Sequence, residues 1–376
     1  MAHAYTPGLR VAEYTIVRKQ RRLPLPGNVS VSVGDRVKAD DVVARTELPG
    51  NVESVNVANR LGVPPEDVPH AMLKNEGDPV EKGEIIAQSK SFFGLFTSKC
   101  VATVSGTIEN ISSVTGQVLL REPPMPVEVK AYVDGVITDV LPGEGVVVET
   151  PATFIQGIFG IGGEIHGDLM VISQESQDVL DADILSEEHK DKIVVGGSLV
   201  TADAIKKAIQ LGIRGIIAGG LNDKDLKEFL GYDLGVAITG NEDKGITLIV
   251  TEGFGEIGMA GRTFELFKKC EGMQASINGA TQIRAGVIRP EVVITRSESD
   301  KKAELPDTET MGNLAIGSPV RTIRQPYFGH IGTVSNLPPE LQKVESETLV
   351  RVLEIEFENG VKAIVPRANV ELIENL

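Results

Sequence analysis

The stretch Val33-Gly-Asp-Arg-Val-Lys-Ala-Asp-Asp-Val-Val-Ala44 occurs a second time, in modified form, as Glu76-Gly-Asp-Pro-Val-Glu-Lys-Gly-Glu-Ile-Ile-Ala87. The copies lie 43 positions apart and share a Gly-Asp pair, a following valine and a closing triplet of two β-branched residues and alanine. Gly-Asp favours a tight turn, and the spaced apolar residues favour strands that face a common core. The repeat therefore predicts two equivalent strand–turn–strand units.

The overall composition predicts a multidomain, β-rich protein. A chain of 376 residues exceeds the usual size of one compact core, and its many glycines and lack of tryptophan favour turn-dense β structure. The formal charge of −16 argues against a general polyanion binder, because binding to nucleic acid rests on Lys and Arg. Cys100 and Cys270 are too far apart in sequence for a metal-binding motif, so we interpret them as free thiols.

Nothing in the sequence predicts export or membrane insertion. The N-terminus lacks a basic segment followed by an apolar one. The longest weakly polar stretch, residues 153–172, contains Glu164, His166 and Asp168, so it does not predict a membrane span. We therefore expect a cytoplasmic protein.

The residue composition and the hydrophobic pattern change along the chain, and these changes predict five segments. Residues 1–150 contain short β-branched runs between turn residues, with a proline-rich insertion at Val63–His70. Residues 151–189 form a glycine-rich β connector, and residues 190–295 alternate strands with helices, which predicts a parallel α/β domain. Residues 296–311 form a charged linker, and a β-rich block follows at residues 312–376. Within the α/β segment we predict strands at Ile193–Val195, Ile213–Ala218 and Ile246–Val250, and helices at Ala202–Leu211, from Asn222 or Asp223 to Leu230, and at Met259–Cys270.

The repeat, together with Ala102–Ile111 and Thr115–Arg121, resembles the barrel-sandwich hybrid of biotinyl and lipoyl modules, including the N-terminal module of RnfC-type electron-transport subunits. The resemblance covers residues 23–130. Carrier members of this class present a modified lysine in a Met-Lys-Met or Asp-Lys-Ala turn, and no lysine here has that context. The cysteine runs that bind iron–sulfur clusters are also missing. We therefore predict a rigid scaffold without biotin, lipoate or another cofactor.

The segment from Gly317 to Val334, with Val350–Phe357 and Val361–Pro366, resembles a KOW module, a small SH3-like β-barrel. In that family the barrel contacts RNA, the ribosome or RNA polymerase. The resemblance implies a basic and aromatic contact face made of Arg321, Arg324, Tyr327, Phe328 and His330. Residues 317–376 nevertheless contain eight glutamates against six basic residues, so a barrel that docks a protein or is purely structural is at least as well supported as one that binds RNA or the ribosome.

Glycines follow several predicted parallel strands. Gly219 and Gly220 follow one strand, and Gly253, Gly255 and Gly258 form a G-x-G-x-x-G pattern after another. Such a pattern before a helix can bind the pyrophosphate of a dinucleotide, and the carboxyl edge of a parallel sheet is where such ligands bind. Glu252 and Glu256 count against phosphate binding, so the alternatives are a protein-contact surface or a purely structural turn. Further candidate groups near that edge are Arg262, Arg284, Arg289, Asn278 and Gln282.

The segment Gly157–Gly167 contains five glycines, so we predict a loop. Its His166, with Glu164 and Asp168 nearby, suggests acid–base or metal chemistry, although a structural or solvated histidine is the more common outcome. No recognisable nucleophile–base pair or metal-ligand spacing occurs. The sequence thus favours a non-catalytic scaffold or adaptor with a protein partner, and the transcription or translation machinery is the candidate target of its KOW-like barrel. The alternative is a nucleotide- or small-anion-binding protein, or an enzyme, with its site at the glycine-rich strand ends. The oligomeric state stays open.

Overall fold

The computed structural model describes residues 9–91, 96–231, 244–281, 288–297, 314–322, 326–327, 330–343, 349–357 and 360–372. The first part of the chain contains β1 (Val11–Arg22), β2 (Asn28–Val29), β3 (Arg36–Val37), β4 (Val42–Leu48), β5 (Val52–Asn56), α1 (Val57–Leu61), α2 (Val68–Ala71), β6 (Pro79–Val80), β7 (Ile85–Ser91), β8 (Phe96–Val101), β9 (Gly106–Ile111), β10 (Gln117–Arg121), β11 (Met125–Lys130), β12 (Gly135–Leu141) and β13 (Gly145–Gln156).

The rest of the chain has two parts. The α/β part contains β14 (Phe159–Ile161), β15 (Glu164–Val171), β16 (Val179–Leu180), β17 (Ile193–Val195), β18 (Leu199–Val200), α3 (Ala202–Leu211), β19 (Gly215–Leu221), α4 (Asp223–Leu230), β20 (Thr247–Phe254), α5 (Gly261–Lys269), β21 (Gln274–Asn278) and β22 (Glu291–Thr295). The last part, called here the C-terminal block (described residues 314–372), contains β23 (Pro319–Thr322), β24 (Ile331–Asn336), β25 (Leu341–Lys343), β26 (Leu349–Phe357), β27 (Lys362–Pro366) and β28 (Val370–Leu372).

The two copies of the repeated sequence fold in the same way. The bounds of β3 and β4 recur, shifted by the same 43 residues, in β6 and β7. Asp35 and Asp78 each accept a hydrogen bond from the backbone N–H three residues earlier, at 2.8 and 2.7 Å. Gly34 and Gly77 have φ values of +93° and +89°, a region that favours glycine. The predicted strand–turn–strand repeat is confirmed.

One long strand joins the N-terminal part to the α/β part. β13 pairs along its length with β1, while its first half also pairs with β12 and its second half with β22. It therefore crosses residue 150, where the sequence suggested a boundary between segments. Among the described residues, thirteen strands belong to this one sheet, which runs from β14 and β20 through β15, β21 and β22 into β13, β12 and β3.

Helices cover both faces of the α/β part of this sheet. β15, β17, β19 and β20 are parallel neighbours. Along β19, Ile216 belongs to the core that α3 and α4 cover, whereas Ile217 belongs to the core that α5 covers. This alternation follows from the two-residue period of a strand. The predicted parallel sheet is confirmed, as are the bounds of β17 and of α3, which Thr201 caps through its hydroxyl and Gly212 ends.

Some local predictions were wrong. The stretch Gly157–Gly167 is largely two strands, β14 and β15, rather than a loop. Its glycines allow close backbone packing: a Cβ on Gly160 would lie 2.7 Å from the carbonyl oxygen of Gly279. The short helix α1 begins at Val57, and the Asn56 side chain caps it.

The C-terminal block has its own β-sheet and core. Its strands follow the order β25-β26-β24-β23-β28, and β27 also pairs with β26. Val320, Val334, Leu353, Ile355 and Val365 are among the buried residues of this core. Most of the charged segment 296–311 lies outside the described residues. Within the described part of the chain, no helix has the length and apolar character needed to cross a bilayer.

Candidate functional site

The structure brings the predicted glycines together, but it packs them against each other. Gly219 and Gly220 lie in the second half of β19, and Gly253 lies near the end of β20. The sequence had placed these glycines after the strands. A Cβ on Gly220 would lie 2.0 Å from the carbonyl oxygen of Gly255, and one on Gly219 would lie 2.2 Å from that of Ile257. The loop at residues 255–260 therefore covers these strand ends. We call this region the glycine-rich edge; glycine is required there because the backbone packs so closely.

The start of α5 is already occupied by a carboxylate of the protein. Glu252, which is 6% exposed, accepts a hydrogen bond from the backbone N–H of Ala260 at 3.0 Å. A helix N-terminus favours an anion, and here Glu252 supplies it. The arrangement does not fit the pyrophosphate of a dinucleotide, because a second anion would lie against this buried charge.

An arginine from the C-terminal block neutralises Glu252. Arg321 is 2% exposed and donates to the second oxygen of Glu252 at 2.6 Å and to the carbonyl oxygen of Thr251 at 3.2 Å. This ion pair, named here the Arg321–Glu252 anchor, fastens the C-terminal block to the carboxyl edge of the parallel sheet. The sequence had suggested Arg321 as a partner-binding residue on the surface. That prediction is corrected, because the guanidinium is committed to a buried contact inside the chain.

Of the other residues of the predicted contact face, Tyr327 and His330 lie together, with ring centroids 6.5 Å apart. Tyr327 is half-buried and packs on Phe357 with ring centroids 5.2 Å apart. His330 is exposed and lies 5.9 Å from the Phe357 ring. Arg324 and Phe328 lie outside the described residues. Around the glycine-rich edge, Arg284 and Gln282 also lie outside them, and Arg262 is exposed at the start of α5.

The opposite edge of the sheet carries an open cleft of about 690 Å³. One wall comes from the N-terminal part, with Ala39, Asp40, Lys130 and Tyr132. The other comes from the amino ends of three parallel strands, at residues 162–166, 212–214 and 244–247. Because it lies where the two parts of the chain meet, we call it the seam cleft. Asn278, which pairs with Glu164, is at this same end of the sheet and not at the glycine-rich edge.

In the seam cleft His166 pairs with Asp40, a residue that the sequence did not identify as a candidate. Its Nε2 lies 2.9 Å from one carboxylate oxygen of Asp40, and Lys130 donates to the other at 2.8 Å. The hydrogen bond from Lys130 lowers the pKa of Asp40, and the positive charges of His166 and Arg214 act in the same direction. Asp40 therefore stays ionised beside the His166 ring.

The carboxylates next to His166 in sequence have other partners. Arg21 binds Glu164 through both terminal nitrogens at 2.6 Å, and Lys192 donates to Asp168 at 2.6 Å. The sequence gives no signal for Asp40, because the second copy of the repeat has Gly83 at the equivalent position and the copies differ at several other positions as well.

Tyr132 forms part of the cleft and has an unusual backbone. Its φ of +72° is rare for a residue with a side chain, and strained residues of this kind gather at functional sites. Its hydroxyl donates to Glu291 at 3.2 Å, and Lys19 also binds that carboxylate. Burial raises the pKa of Tyr132 well above its ordinary value, and the Glu291 charge adds to this. The hydroxyl thus stays protonated as a donor.

No group of three or more His, Cys, Asp or Glu side chains is placed to hold a metal ion in the described ranges. The two cysteines are buried free thiols, and burial raises the pKa of each. A comparison with family models found no match, and a comparison with curated proteins found none either.

Proposed function

We propose that the chain is a non-catalytic, cytoplasmic scaffold or adaptor that holds its C-terminal block in a fixed position to dock a protein partner. The observation that carries the proposal is the way the parts are joined. β13 is shared by the N-terminal and α/β parts, and the Arg321–Glu252 anchor fastens the block. Parts that are connected by a shared strand and a buried ion pair suit a platform that presents one surface.

The surface of the block supports a protein partner over RNA. Among the described residues, five of the sixteen large apolar side chains that are exposed lie on it, although it is a small part of the chain. They are Ile316, Leu341, Leu349, Val361 and Ile364. Exposed apolar groups in this density favour a protein contact. The excess of glutamate over basic residues, together with the burial of Arg321, weakens the case for phosphate contacts.

Full-length chains carrying Ile364→Glu or Leu349→Glu are expected to lose the partner that the native chain retains. A charge placed in the dry centre of an interface typically costs several kcal/mol of binding energy. The measurement is affinity capture from native cells with quantitative mass spectrometry, with and without ribonuclease.

The matched control is Val114→Glu, because Val114 is 85% exposed and lies in a turn of the N-terminal part. A partner lost with both block variants, kept with Val114→Glu and insensitive to ribonuclease supports the proposal. Equal recovery with all variants would contradict it, and a partner that ribonuclease releases would redirect it to RNA.

A further inference from the structure

We infer that the seam cleft is a binding site for a small organic anion, held by Arg214, Lys130 and Lys244 beside the His166–Asp40 pair. This site lies at the amino edge of the parallel strands, opposite the glycine-rich edge. It is independent of the proposed docking function, which uses the C-terminal block.

The charges that face the seam cleft carry this inference. Lys130, Arg214 and Lys244 line it, and the carboxylates that line it, Asp40 and Glu164, already have basic partners. Asp40 is bound by Lys130 and His166, and Glu164 by the two nitrogens of Arg21. Counting Arg21 beside Glu164 and Asp191 beside Arg214, four cations meet three carboxylates there, in a protein whose overall charge is −16. Local positive charge against that background favours an anionic ligand.

The guanidinium of Arg214 has more N–H donors than its contacts with the described residues use. Its Nη1 donates to the carbonyl oxygen of His166 at 2.9 Å, and its Nε lies 3.5 Å from the exposed Asp191 carboxylate. Its Nη2 has no hydrogen-bond partner among the residues that the structure describes. The contact with His166 fixes the plane of the guanidinium, and a planar fork held in place suits the two oxygens of a carboxylate or phosphate.

The size and walls of the cleft indicate the rest of the ligand. A volume of about 690 Å³ falls in the range of small-molecule sites. Ile165, Ile213 and Ile246 provide apolar wall between the charged groups. A compact organic acid or a phosphate ester, with one anionic end and a short apolar body, matches these surfaces.

Calorimetric titration of the full chain with inorganic phosphate and, separately, with succinate tests the site at constant ionic strength. We expect saturable binding of at least one anion, and Arg214→Gln should weaken it about tenfold, because a charged hydrogen bond is lost. Binding of phosphate alone would assign phosphate esters, and binding of succinate alone would assign carboxylic acids.

The matched control is Lys362→Gln, which removes an exposed lysine on the C-terminal block and should leave the affinity unchanged. Circular dichroism checks the fold of each variant, and Lys244→Gln carries the same expectation if Arg214→Gln does not fold. Absence of saturable binding for both anions would overturn the inference. So would an equal loss with Lys362→Gln, because binding would then follow overall charge rather than the cleft.

Discussion

Replacing Arg321 with methionine is expected to lower the free energy of unfolding by about 3–5 kcal/mol, the usual cost of removing one partner of a buried ion pair. Methionine fills much of the arginine volume, so the loss is mainly electrostatic. Glu252, only 6% exposed, would be left without its counter-ion. Urea denaturation followed by circular dichroism measures the effect on the transition that includes the C-terminal block.

Two further variants distinguish the loss of the ion pair from a nonspecific effect of replacing an arginine in this block. Arg351→Met removes an exposed arginine from the same block and should change stability little. The double variant Arg321→Met with Glu252→Gln should recover much of the loss, since the glutamine still accepts from Ala260 and carries no charge. If Arg321→Met and Arg351→Met had equal effects, the Arg321–Glu252 anchor would not stabilise the fold.

The second large effect is expected at the glycine-rich edge. Gly220→Ala should destabilise the protein by about 1–3 kcal/mol, the typical cost of overpacking, because its Cβ would lie 2.0 Å from the carbonyl oxygen of Gly255. Backbone atoms cannot move aside as a flexible side chain can. Thermal and urea unfolding both report this loss.

Gly163→Ala is the matched control, because a Cβ there meets no atom within 4 Å and its φ is not in the left-handed region. It should change stability little. A Gly220→Ala protein as stable as native, with altered binding of a nucleotide, would show that the glycines serve a ligand rather than close packing.

The local features of the fold could be predicted from the sequence, whereas the contacts that define the candidate sites could not. The turns of the repeat, the helix Ala202–Leu211 and the strand Ile193–Val195 depend on residues close together in the chain. Arg321 and Glu252 are 69 residues apart. In the sequence, Arg321 has only the appearance of a basic surface residue, and its burial depends on how the C-terminal block packs on the sheet.

The position of the open cleft could not be predicted from the sequence for a similar reason. Strand ends rich in glycine suggested a ligand at the carboxyl edge, but the chain fills that edge with its own loop, with Glu252 and with Arg321. The amino edge stays open, and it gains Asp40 and Lys130 only because the N-terminal part packs there. The sequence suggested His166 together with Glu164 and Asp168, whereas in the structure its partner is Asp40, which comes from the repeat and not from its neighbours in sequence.

The distance between the C-terminal block and the α/β part tests the idea of a fixed platform most directly. Spin labels at Asp203→Cys on α3 and Glu340→Cys on the block occupy exposed positions, and the native cysteines are buried. Pulsed electron resonance should give a single narrow distance distribution in the otherwise native chain and a broad one when Arg321→Met is added. A distribution that is already broad before Arg321 is replaced would contradict the claim that the block is held in one position.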